Sequence, residues 1–166
     1  MVAPFKFWWF FKLNLWYDRK NINEGERFAW KYLFGKNHRI AKKRGLNINA
    51  WVQDLRQYRF EKIYDLVVSF GTLHFVEKSD WKSLLLKAKE NTNIGGIHII
   101  QLFTNVLPAS PDIAPFAVGL ADDEEIKSLY ADWDILQFKT YTFEEEHPGV
   151  PKHSHASNKI VAQRIS

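Results

Sequence analysis

Three histidines in the last quarter of the chain, His147, His153 and His155, are the densest gathering of side chains with chemical potential. His-x-His in an extended segment sets two imidazoles on the same side, a spacing that suits a metal ion or an anionic substrate. Glu144, Glu145 and Glu146 lie just before them and could add carboxylates. An exposed polar turn is the plainest reading of these residues. Contact with a substrate comes next and a metal last, so no metal ligand is assigned. His98 sits inside an apolar run, where a packed, hydrogen-bonded histidine is the ordinary case. No carboxylate–histidine–serine constellation and no phosphate loop can be recognised. The chain has no cysteine, which excludes disulfides, thiolate metal sites and cysteine catalysis and makes the cytosol the default compartment.

The elements that must carry these side chains alternate from Gly45 onward. Residues 47–52 read as a half-buried strand with Ile48, Ala50 and Val52 on one face, followed by Asp54 and Leu55. Residues 64–70 are apolar on both faces, as in an interior strand of a parallel sheet covered by helices. A helix follows, capped by Ser79 or Asp80, with Trp81, Leu84, Leu85 and Ala88 at i, i+3, i+4 and i+7. Gly95 and Gly96 make a turn into a strand over residues 97–103. Residues 108–115 form a proline-bearing loop. A second helix begins at Asp122 or Asp123 and carries Ile126, Leu129, Tyr130 and Trp133 on one face. Residues 135–143 alternate as a strand, 144–149 form an acidic turn leading into a His-rich loop, and 159–164 form a short last strand. The whole predicts an α/β fold whose mostly parallel sheet ends in an antiparallel C-terminal pair.

Taken in order, these phrases resemble the class I S-adenosylmethionine-dependent methyltransferases, most closely the tellurite-resistance-type and related small-molecule enzymes. Tyr64-Asp65-Leu66-Val67-Val68-Ser69 with Leu73-His74-Phe75 is similar to that family's fourth strand and the loop after it. Asn93-Ile94-Gly95-Gly96-Ile97 is similar to its turn into the fifth strand, and residues 123–133 to its late helix. The resemblance covers residues 36–166 and implies a Rossmann-like sheet, S-adenosylmethionine as cofactor and a small-molecule methyl acceptor. It also implies site residues. Asp54 would accept a hydrogen bond from the adenine amino group, and Leu55 would flank the ring. Ser69 and Phe70 would line the methionine end, in keeping with ligand binding at the carboxyl ends of strands in open α/β sheets. His74 would stand on the substrate side, with His147, His153 and His155 as further candidates there. The plain alternatives are a turn residue for Asp54 and a core residue for Phe70.

The resemblance lacks one half. The family's first strand ends in a glycine-rich turn that lets backbone amides approach the cofactor. Before residue 47 the sequence offers only Gly25, Gly35 and Gly45, and none forms G-x-G. The sheet is therefore expected to be truncated. Its missing strands leave a gap beside residues 64–70, filled either by a strand from residues 5–17 or by a shift of the strand at 47–52. An internal deletion or a disrupted reading frame would account for the loss. Residues 1–35 read as an atypical basic, aromatic-rich segment. Up to Arg44 there are 11 Lys and Arg against 3 Asp and Glu, and 12 of the 26 aromatic residues lie at or before Phe34. No nucleic-acid motif accompanies this charge, so nucleic acid is not expected as a partner. The apolar run at residues 7–11 is far short of the roughly 20 residues a membrane span needs. A catalytically inactive, truncated homologue or a non-enzymatic interaction domain is the alternative to an active methyltransferase.

Overall fold

A computed structural model describes residues 7–10, 43, 45, 54–111, 113–147 and 150–166, the first four and His147 by backbone alone. The chain divides into two units, Met1–Asn14 with Leu55–Ser166, and Leu15–Asp54. The first contains the sheet. The strand expected at 47–52 lies outside the described residues.

Among the described residues the first unit has, besides two short 3-10 turns, strand β1 (Phe7–Phe10), strand β2 (Tyr64–Phe70), helix α1 (Lys78–Glu90), strand β3 (Thr92–Phe103), helix α2 (Glu125–Leu129), strand β4 (Asp134–His147) and strand β5 (Val150–Gln163). The strands form one sheet in the order β1-β2-β3-β5-β4. β1, β2 and β3 run parallel, and β5 runs against both of its neighbours. This is the α/β architecture expected from the sequence. Phe7 to Phe10 pair with Leu66 to Ser69, so the aromatic segment supplies the strand beside β2. Of the two ways to fill the gap, the described residues adopt the first.

One face of the sheet carries the core. Val67, Ile100, Leu102, Ile160 and Ala162 pack with Trp81, Leu84, Leu85 and Ala88 of α1, all four on the helix face read from their spacing. Each of the Val, Leu and Ile side chains contributes roughly 1.5–3 kcal/mol through removal of apolar surface from water. The helix begins earlier than expected. Ser79 and Asp80 lie inside its first turn, and the carbonyl of Glu77 accepts the amides of Asp80 (2.9 Å) and Trp81 (3.1 Å). Asp80 still places a carboxylate at the positive end of the helix.

Three expectations are corrected by pairing that local composition does not reveal. β3 starts at Thr92, so Gly95 and Gly96 lie within it, Gly95 at φ +81° where a side chain would be strained. The second helix is only Glu125–Leu129, yet Ile126, Tyr130 and Trp133 are buried as their spacing implied. The acidic turn and His-rich loop are strand, because β4 runs on to His147 and β5 starts at Val150. Across this hairpin Glu145 faces His153, Glu144 faces Ser154 and Lys139 faces Lys159. β5 is hydrogen-bonded on both sides, and that ladder overrides the weak strand propensity of its His, Lys and Asn residues.

Candidate functional site

The carboxyl end of β2 carries three of the residues singled out from the sequence, Ser69, Phe70 and, in the turn that follows, His74. Ser69 is buried at the end of β2, and its hydroxyl has no hydrogen-bond partner among the described residues. Thr104 Oγ1, just past β3, and Asn158 Nδ2, in β5 opposite Leu102, are in the same condition. A buried polar atom left unpaired costs about 1–3 kcal/mol, so three of them near the strand ends mark a place suited to a polar ligand. Phe70 is half-buried, with Lys159 Nζ 5.6 Å from its ring centre. Gly71 turns the chain at φ +57° and its amide donates to the Gln101 carbonyl at 3.0 Å.

His74 follows in a short 3-10 turn, Leu73–Phe75, and is fully buried. Its Nδ1 accepts the backbone N–H of Phe103 at 3.5 Å, which leaves the ring proton on Nε2. Phe103 stacks on two imidazoles, His74 at 4.2 Å and 9° and His155 at 4.5 Å and 19°. The phenyl ring thus links the turn after β2 to the hairpin. Sequence reading missed Phe103, although it is the last residue of a buried strand, where site residues of such sheets belong.

On the hairpin, Phe143 lies opposite His155 and Glu145 opposite His153, so strand alternation puts all four on one face. Glu145 Oε2 is 3.4 Å from His155 Nε2, and the two imidazoles meet edge to face at 4.8 Å. His153 Nδ1 donates to the Pro151 carbonyl at 2.8 Å, which puts its lone pair on Nε2. The backbone of His147 pairs with Val150; its side chain lies outside the described residues. Leu55 opens a 3-10 turn, Leu55–Gln57, and packs on the core. Asp54 is half-buried and is the last residue of the other unit.

His98 is a structural histidine, as its place in an apolar run implied. Thr92 Oγ1 donates to the Ala88 carbonyl at 2.7 Å, so it accepts from His98 Nε2–H at 2.8 Å. His98 Nδ1 then accepts the Tyr130 hydroxyl at 2.6 Å. Both ring nitrogens are matched in the neutral form. Burial, with the charge of Lys89 adding to it, lowers the His98 pKa to about 3. Tyr130 is held well above the usual phenol value by burial and then by Asp132, so it keeps the proton it donates.

The family model "Tellurite resistance protein TehB" matches residues 29–161. A curated relative, the probable S-adenosyl-L-methionine-dependent methyltransferase TehB of Haemophilus influenzae, is 30% identical over 98 residues, covering 58% of this chain and 33% of the relative. Among solved structures, TehB from Haemophilus influenzae aligns with a TM-score of 0.67 at 22% identity, over 86% of this chain and 47% of that one. A S-adenosylmethionine-dependent methyltransferase from Clostridium acetobutylicum aligns with a TM-score of 0.56 at 9% identity, over 82% and 72%. These likenesses concern the fold. The chain spans about a third of the curated relative's length and just under half of the solved TehB chain.

Proposed function

Because the chain belongs to the tellurite resistance protein TehB family, we propose that it binds S-adenosylmethionine at the carboxyl ends of β2 and β3 and directs methyl transfer to a small-molecule acceptor. The observation that carries this reading is the buried hydroxyl of Ser69, without a hydrogen-bond partner among the described residues, at the end of the sheet where such folds take their ligands. Such an atom fits a polar, charged cofactor. When bound, S-adenosylmethionine supplies a methyl group activated by a sulfonium, so the protein needs little acid–base machinery beyond positioning. Ser69 and Phe70 would hold the methionine end, and Leu55 would flank the adenine. His74, kept in one tautomer by the Phe103 amide, would border the acceptor. Residues 36–166 would be the methyltransferase-like part, with 1–35 as a preceding segment that lends the sheet a strand. The lack of cysteine supports a cytosolic setting. No helix among the described residues is long and apolar enough to cross a membrane.

One observation favours a second reading. The sequence has no G-x-G turn before β2, so the backbone approach that such sites use for the rest of the cofactor has no counterpart here. The chain would then be an inactive relative or an interaction domain. Calorimetric titration of S-adenosylmethionine or S-adenosylhomocysteine into the full chain separates the two. Micromolar binding supports the enzyme reading; no heat at millimolar ligand from a folded sample defeats it.

A further inference from the structure

We infer that Glu145, His153 and His155 form a three-ligand site for a divalent transition metal of the zinc class, with a fourth position open. One ligand atom from each residue lies within 4.8 Å of the other two. Zinc bonds of about 2.0–2.1 Å in a tetrahedron set ligand atoms roughly 3.3 Å apart. Glu145 Oε2 and His155 Nε2 already stand at 3.4 Å, so that edge exists without any movement. The third corner needs His153 to close in by an ångström or so, within the range of a side-chain torsion.

The strands determine which residues take part. His153 and His155 are two apart on β5, and Glu145 is the direct partner of His153 on β4, so all three share a face. Glu144 does not belong to the set: by alternation it points the other way, and it is paired with Lys152 at 2.6 Å. Neither imidazole is loosely held. His155 is 4% exposed and stacked on Phe103, with Phe143 at 5.4 Å on the hairpin. His153 gives its Nδ1 proton to the Pro151 carbonyl, the outer hydrogen bond that fixes tautomer and ring angle in metal-binding histidines. Two imidazoles and one carboxylate favour zinc, cobalt or nickel over magnesium or calcium, which take oxygen ligands. Three protein ligands are what a site with an exchangeable fourth position uses. The inference stands apart from methyl transfer, since none of its three residues is assigned to the cofactor.

The test uses the full chain, free of any polyhistidine tag and stripped of metal, titrated with zinc chloride by calorimetry and followed by thermal unfolding. One equivalent bound in the micromolar range is expected, with a rise in Tm. Glu145→Gln and His153→Ala, which spare the stacked ring, should each weaken binding at least tenfold and abolish the rise in Tm while the metal-free proteins unfold as the parent does. His147→Ala should bind as the parent does. The inference is overturned by the absence of saturable uptake at millimolar zinc. It is equally overturned by parental affinity in both Glu145→Gln and His153→Ala, or by loss of binding in His147→Ala alone.

Discussion

Two histidine neighbourhoods in one sheet show opposite ways of handling buried polarity. Around His98, near the start of β3, every donor meets an acceptor: Thr92, Tyr130 and the Ala88 carbonyl complete a chain of bonds. Lys89 lies over the Tyr130 and Trp133 rings and bonds to the Leu129 carbonyl at 2.7 Å. At the carboxyl ends of the strands, Ser69, Thr104 and Asn158 keep buried polar atoms unmatched, and the ligand atoms of Glu145, His153 and His155 converge. The first neighbourhood is architecture, complete within itself. The second leaves polar atoms unmatched among the described residues.

The largest effect is expected outside both neighbourhoods, at Gly119, which ties α1 to the turn after β2. Gly119 receives the Trp81 indole N–H on its carbonyl (2.8 Å) and gives its amide to the His74 carbonyl (3.0 Å). A Cβ there would stand 1.9 Å from the Val76 carbonyl oxygen, so backbone must move. Gly119→Ala should cost about 3 kcal/mol or more, read as a lowered urea midpoint or as loss of folded protein. Wild-type stability would refute the tie.

Acid separates the neighbourhoods next. The folded pKa of His98, about 3, lies below its unfolded value of 6.5, so between those values the unfolded chain binds the extra proton. Stability present above pH 6.5 is lost as the pH falls toward 3. From pH 7 to 4.5 the loss should be about 2–3 kcal/mol by urea unfolding, and His98→Gln should flatten it. An equal slope in that variant would count against a neutral, bonded His98.

The smallest effect is the most telling. Ser69→Ala and Thr104→Val remove hydroxyls that have no partner among the described residues, so each should leave stability unchanged or raise it by about 1 kcal/mol. Both should weaken S-adenosylmethionine binding. A clear loss of stability would show that these hydroxyls belong to the architecture after all.

How much of this could be read from the sequence differs by element. Trp81, Leu84, Leu85 and Ala88 declare the buried face of α1 by spacing alone, and the apolar run at 64–70 declares an interior strand. Ser69 and Phe70 are singled out by the family resemblance, in keeping with the rule that ligands sit at strand ends. Only the end of β5 was legible, as the short strand at 159–164, because residues 150–158 have little strand character and gain it only between β3 and β4. Nor could Glu145 be picked from three consecutive glutamates, since that choice depends on a register fixed across the hairpin. Phe103 was hidden for a similar reason. Its two stacking partners lie 29 residues before it and 52 after, as the numbering of His74 and His155 shows.

The strand order also bears on how the chain is made. Among the described residues β4 pairs with β5 alone, and β5 lies between β4 and β3, so a strand synthesised after both of its neighbours is laid between them. Until residues 150–163 leave the ribosome, β3 presents an open edge and β4 has nothing to join. The earlier elements can collapse on α1 during translation, but this side of the sheet closes only after β5 emerges. A ribosome stalled before that point would hold a half-built sheet with Ile97 to Phe103 unpaired along one side, the natural target for a chaperone.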